Sequence, residues 1–271
     1  MSTSSGNHLN AELARAYDRI ADLETALDEY RRSGQKALEL AIEEVKTAAL
    51  KNFLGNLAGF VTTPLTVMKA SILALRDLPE QDTREEQWRM LESQVGTLER
   101  LFENMLLMVR LDTLEELELG SLNLNRLAQQ VYDRLKPLAE QRQHRFTFQP
   151  NAGSARVIAD NFLLKSAIRA VVTNALDFTP AGGVISLTTE ARDGEAIIEA
   201  RDNGIGIDDA DLPHIFKRFW WASRADYPNP GSVGLGLALA QRIVDLHHGR
   251  IEVESTRDQG SVFWIVLPLF R

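Results

Sequence analysis

The chain contains no cysteine, which excludes disulfides, thiolate metal sites and thiol nucleophiles. No apolar run approaches the roughly 18 residues needed to cross a bilayer. The opening MSTSSGNHLN is short and polar, without a signal core. A net charge of -8 argues against general affinity for nucleic acid or anionic lipid. These absences predict a soluble, cytoplasmic protein with no membrane insertion and no nucleic-acid partner. Internal repeats and low-complexity tracts are missing as well.

What is present suits a globular protein. At 271 residues, 44% hydrophobic and 25% charged, the chain can bury two cores. Leu9, Leu13, Ala16, Ile20, Leu23, Leu27 and Tyr30 step by four and three with charged residues between them, which predicts a coiled coil. Arg31-Arg32-Ser33-Gly34 interrupts this seam, and it resumes out of phase at Leu38, Ile42, Val45, Ala49 and Phe53, as after a stutter. From Arg84 to Glu115 a second helix carries Trp88, Leu91, Val95, Leu98, Phe102, Met105 and Val109 at the same spacing. The polar turn Asp77-Leu78-Pro79-Glu80-Gln81-Asp82 joins the two runs into an antiparallel hairpin. One hairpin buries too little alone, so two should pair as a four-helix bundle in a homodimer.

After Gly120 the pattern changes. Helices are expected at Leu122 to Gln141, Asp160 to Asp177 and Gly234 to His247. Strands are expected at Arg145 to Gln149, Val184 to Thr189, Ala196 to Arg201, Ile251 to Ser255 and Ser261 to Pro268. Helices gathered on one face of a mostly antiparallel sheet make an α+β two-layer sandwich. The expected domains are residues 1–51 (N-terminal coiled coil), 52–115 (helical hairpin) and 116–271 (sandwich).

Four segments of the sandwich carry chemistry. Asp202-Asn203-Gly204-Ile205-Gly206-Ile207 follows a strand, so a carboxylate can accept from an exocyclic amine while glycine backbone approaches a flat ring. An ordinary turn is the plain alternative for this stretch taken alone. Gly231-Ser232-Val233-Gly234-Leu235-Gly236-Leu237 opens a helix whose free N–H groups suit phosphate. Asn174 offers an amide oxygen suited to Mg²⁺, or to a structural hydrogen bond. Phe216, Arg218 and Phe219 lie in the basic–aromatic run Ile215-Phe216-Lys217-Arg218-Phe219-Trp220-Trp221, where core packing is the plain alternative.

In this order, and followed by HHGRIEVESTRDQGSVFWIVLP, the segments resemble the ATP-binding domain of sensor histidine kinases, within the gyrase, Hsp90, histidine kinase and MutL superfamily. The resemblance implies ATP beneath a lid at about Asp208 to Ser232. It places Asp202 on adenine, Asn174 on Mg²⁺, and Gly204, Gly206, Gly234 and Gly236 around the pocket. Ile207, Phe216, Arg218, Phe219, Gly231, Leu235 and Leu237 complete the implied ATP-binding set.

The hairpin is similar to the family's dimerisation and phosphoacceptor domain through Phe53-Leu54, Asn56 and Thr63-Pro64-Leu65-Thr66. That alignment puts the phosphoacceptor histidine at Gly59, its acidic neighbour at Phe60 and the usual arginine at Thr62. Glycine has no nucleophile and phenylalanine moves no proton. The five histidines, His8, His144, His214, His247 and His248, lie away from this stretch. Gly55 and Gly59 each cost roughly 1 kcal/mol against alanine inside a helix, and Pro64 should loosen the helix there.

Two further departures touch the pocket. Ala170 replaces a second polar residue, and Asp177 stands where many relatives carry lysine, so it should repel triphosphate or help bind a cation. The implied function is a histidine-kinase-family protein of two-component signalling that binds ATP and Mg²⁺, dimerises, and cannot phosphorylate its own hairpin. Its partner would be a response regulator or a competent kinase, and Thr63 keeps the position of a phosphatase-type threonine. A kinase acting in trans on a partner's histidine and a non-catalytic dimeric scaffold with a vestigial ATP site remain the alternatives.

Overall fold

Helix propensity and two-residue alternation divide the chain into helical and sheet regions, and the computed structural model of the protein follows that division. The structure describes residues 61–76, 81–114, 116–153, 155–220 and 234–270. The expected coiled coil, the Gly55–Gly59 pair, the turn residues 77–80 and the lid segment 221–233 lie outside them. All the described residues belong to one unit, Gly59–Arg271.

Helix α1 covers residues 61–76, with Pro64 and Ser71 buried. Helix α2 spans Gln81–Thr113, so Gln81 and Asp82 begin a helix rather than end a turn. Its inward face buries Leu91, Leu101, Leu107, Met108 and Leu111. The expected seam divides: Leu91 goes inward, while Trp88, Val95, Phe102 and Val109, spaced by seven, are 41 to 60% exposed. The helix therefore carries two apolar stripes, one turned inward and one left exposed.

The sandwich begins with strand β1 (Leu119–Asn123), followed by helix α3 (Leu124–Gln141). The expected helix at Leu122 thus starts two residues late, because Asn123 caps it by accepting from the Arg126 N–H at 2.9 Å. Strands β2 (Arg145–Pro150) and β3 (Arg156–Asp160) lead to helix α4 (Asn161–Phe178). Asp160 caps α4 by accepting from the N–H groups of Phe162 and Leu163. Strands β4 (Val184–Arg192) and β5 (Glu195–Asp202) form a hairpin. Its two turn residues, Asp193 and Gly194, have φ of 53° and 84°, as a type I′ turn requires. Helix α5 (Gly236–Leu246) and strands β6 (Arg250–Thr256) and β7 (Gly260–Pro268) complete the fold.

The main sheet has the order β2-β4-β5-β7-β6; β2 and β4 run parallel and every other neighbour antiparallel. Strands β1 and β3 pair separately. On β5, Ala196, Ile198, Ala200 and Asp202 share the inner face, aligned with Leu187 and Ile185 of β4 and with Phe263, Ile265 and Leu267 of β7. Helices α3, α4 and α5 cover that face. The outer face is polar, with Arg250 bridging Glu195 and Glu252, and Glu199 accepting from Trp264 Nε1. Behind the helices, His247 Nε2 accepts from the Asp160 N–H at 2.9 Å while its Nδ1 faces the Ile243 carbonyl at 2.7 Å. This joins α5 to the start of α4.

Candidate functional site

The period of two along β5 carries its last residue, Asp202, onto the helix-covered face instead of into water. There the N–H groups of Gly204 and Ser261 donate to its Oδ1 at 2.8 and 3.3 Å. Burial pushes the carboxyl above its usual range, against the pull of these two donors. With Oδ1 so engaged, Oδ2 is the atom left for a ligand. It is an acceptor on the wall of a cavity of about 310 Å³.

The turn after Asp202 is shaped by contact. A Cβ on Gly204 would strike the Phe178 carbonyl oxygen, and one on Gly206, where φ is +66°, would strike that of Thr256. The Ile207 N–H donates to Ser255 Oγ, which in turn donates to the Gly260 carbonyl. Gly206 and Ile207 thereby form the cavity wall beside Asp202, with Ile215 and Ser261 nearby. Gly236, the first residue of α5, is different: an added Cβ would meet only Ala170 Cβ at 3.8 Å. Space, not protein packing, faces this glycine.

The sequence-expected residues divide in three. Asn174, Asp177, Asp202, Gly206, Ile207, Gly234, Gly236 and Leu237 line the cavity. Gly204 sits behind it, Leu235 is buried at the α5 N-cap, and Phe216 and Phe219 are not among the lining residues, with the Phe219 N–H donating to the Gly234 carbonyl. Arg218 points elsewhere: its guanidinium makes two bonds, of 2.9 and 2.8 Å, to the Asp112 carboxylate of α2. Thr63 is exposed on α1, while Gly59 and Gly231 lie outside the described residues.

Asp177 does not present a free negative charge. Arg142, just past α3, donates to its Oδ1 at 2.6 Å and to the Leu176 carbonyl at 3.0 Å. Burial raises the Asp177 carboxyl, and Arg142 pulls it back down. Local sequence missed the rest of the wall. Arg100, Glu103, Asn104 and Leu107 of α2 and Arg134, Leu135 and Leu138 of α3 also line the cavity, as does Arg142. Their helical spacing marks one face of each helix, but nothing local says what that face meets.

A concave site with a buried carboxylate at one end, an amide midway and a helix start beside it suits a nucleotide. Residues 159–271 match the family described as histidine kinase-, DNA gyrase B-, and HSP90-like ATPase. The circadian input-output histidine kinase CikA of Synechocystis sp. is 32% identical over 226 residues, or 80% of this chain and 30% of that protein. The chain spans 30 to 58% of the length of the first curated relatives it matches, all of them sensor or histidine kinases. The structure of full-length ShkA in complex with AMPPNP is similar with a TM-score of 0.57 and 25% identity, covering 78% of this chain and 44% of that one. Histidine kinase ThkA, solved with response regulator protein TrrA, shares the fold with a TM-score of 0.65 and 23% identity, covering 83% and 63% of the two chains.

Proposed function

With residues 159–271 an ATPase domain of the histidine kinase-, DNA gyrase B- and HSP90-like family, in a relative of the sensor histidine kinases of two-component signalling, the protein, we propose, binds ATP but cannot phosphorylate its own hairpin. The observation that carries the first half is Asp202, buried on the cavity wall with Oδ1 satisfied and Oδ2 unengaged. That oxygen accepts from the exocyclic amine of adenine, and the Gly206–Ile207 backbone lies against the ring. The complex of ShkA with AMPPNP supports the same ligand. The second half rests on composition at one position. Gly59 has no side chain to attack a γ-phosphate, and Phe60 has no group to take the proton.

Toward Mg²⁺ the described part of α4 offers the amide of Asn174. Ala170 has no donor, Asp177 is tied to Arg142, and among the described residues no three His, Cys, Asp or Glu side chains gather as ligands. These residues do not build a metal centre of their own.

The outward stripe of α2 supports a homodimer, since four large apolar side chains spaced by seven suit a helix of a second copy. Phe102→Glu should convert the dimer to a monomer in light scattering while leaving the helical circular dichroism unchanged. A parent chain that already runs as a monomer removes the pairing. The further partner of this reading is a response regulator, the kind of protein with which ThkA was solved, and a competent kinase is the other candidate.

Incubation with γ-labelled ATP, alone and with candidate receivers, tests the whole reading. The unaltered chain should bind nucleotide and take up no acid-labile label, whereas a Gly59→His, Phe60→Glu chain should be labelled. Label on an imidazole of the unaltered chain overturns the proposal. Label on a partner's histidine moves the function to a kinase acting in trans.

A further inference from the structure

Beyond adenine, the cavity continues into a groove between α2, α3 and α4, and the charges there follow a pattern. Four arginines line it: Arg100 of α2, Arg134 of α3, Arg142 just past α3, and Arg169 of α4. Three carboxylates line the same cavity, Glu103, Asp177 and Asp202: two stand beside arginine, and the third keeps only its Oδ2 open, at the adenine end. Glu103 lies 3.7 Å from Arg169, Asp177 lies 2.6 Å from Arg142, and Asp202 takes two backbone N–H groups. Arg100 and Arg134 have no acidic partner within ion-pair distance among the described residues, and Arg100 donates only to Thr97 Oγ1 of its own helix.

We propose that the triphosphate is held in this groove by arginine, so that nucleotide binds without a divalent cation. This rests on the reading of the Asp202 end as an adenine site.

The placement follows from helix geometry. Asn174 and Ala170 are one turn apart, about 5.4 Å, and Gly236 faces Ala170 across open space. A chain of phosphates leaving adenine therefore passes Asn174 and the start of α5. Arg169 adjoins Ala170 in sequence, and Arg134 lines the same cavity from α3, which packs along α4. The terminal phosphates thus arrive among guanidinium groups.

Chemistry separates the two ways of neutralising them. Mg²⁺ in nucleotide sites uses one or two carboxylates with the phosphate oxygens, whereas the carboxylates of this cavity stand beside arginine or, at Asp202, are turned to adenine. Guanidinium grips phosphate through paired N–H donors without a metal. Arg100 and Arg134 are the two such groups free to do so. Both are exposed in the absence of ligand, so neither has to give up an internal ion pair to turn inward.

The test is calorimetric titration of the full chain with ATP and with AMP, in excess Mg²⁺ and in EDTA. ATP should bind within about threefold as tightly in the two buffers. Arg100→Gln combined with Arg134→Gln should weaken ATP by about 100-fold, tenfold for each charge-assisted contact, and leave AMP within about threefold. ATP affinity that collapses more than about tenfold in EDTA overturns the proposal while sparing the adenine site, and so does a double variant that binds ATP as the parent does. Absence of both ATP and AMP binding in either buffer sinks this proposal and the nucleotide reading together. The comparison of buffers uses the unaltered chain, so it remains decisive even if the double variant folds poorly.

Discussion

Asp202→Asn should remove ATP binding, by about 100-fold or more, without lowering the stability of the protein. The amide is the right shape, but its atoms are in the wrong order. The N–H groups of Gly204 and Ser261 both donate to Oδ1, so the amide must keep its oxygen there and turn its NH₂ outward. That donor then meets the exocyclic amine of adenine, also a donor. A charge-assisted bond worth roughly 1.5–3 kcal/mol is lost, and a donor is left facing a donor.

Stability moves the other way. Burial raises the folded-state pKa of Asp202 above its ordinary value of 3.8. A group raised in this way contributes stability that is fully present below the unfolded pKa and is lost as pH rises through the folded one. Asparagine is neutral throughout and does not suffer that loss. The thermal midpoint of Asp202→Asn at pH 7 should therefore equal or exceed that of the parent, with the gap closing on acidification. A variant that binds ATP as the parent does removes Asp202 from the adenine contact. One that melts well below the parent shows that the two backbone donors favour the ionised form more than burial opposes it.

Arg142→Ala carries the second large effect, this time on folding. It strips the 2.6 Å bond from an Asp177 side chain that is only 14% exposed, and leaves the Leu176 carbonyl without its 3.0 Å donor. Breaking a buried pair by removing one partner costs about 3–5 kcal/mol, because the remaining charge is uncompensated. Asp177 is also a raised carboxylate, held up by burial and held down chiefly by Arg142. Without Arg142 the folded pKa rises further, so the deficit is largest at neutral pH and shrinks as pH falls through that value. Adding Asp177→Asn should recover most of the loss at pH 7, since the charge has gone. Denaturant unfolding at pH 7 and pH 5 checks both statements. A deficit that does not change with pH, or a double variant no better than the single, refutes the ion-pair account.

The elements that were legible in the sequence carry their instructions locally. The β4–β5 hairpin announces itself through Asp193-Gly194, which takes the positive φ values of a type I′ turn. Helix α4 is bounded by its cap Asp160 and the proline after Thr179. Strands β1 and β3 were not legible. Leu119–Asn123 holds a glycine and an asparagine and no β-branched residue, and it is a strand only because its partner lies about 40 residues on, with Leu119 opposite Asp160. The α2 seam was half legible. Its spacing marks an apolar stripe, but which stripe turns inward depends on the sandwich that packs against it.

The site divides in the same way. Asp202, Gly206, Asn174 and Gly236 stood out because their short stretches, each ambiguous alone, follow one another in a recognisable order along the chain. Arg218 also stood out, yet its guanidinium goes to Asp112, 106 residues away. Arg100 and Arg134 did not stand out, because an arginine on a polar helix face is ordinary until another helix encloses it.

By itself, then, the sequence determined the absence of a nucleophile at position 59, the alternation that turns Asp202 inward, and the caps and turns that divide the elements. These depend on residue type and on neighbours within a few positions. Only the tertiary structure decided which charges meet, such as Arg142 with Asp177 across 35 residues. Such pairs are set by how helices dock over the sheet, and the shape of that docking comes from packing the whole core.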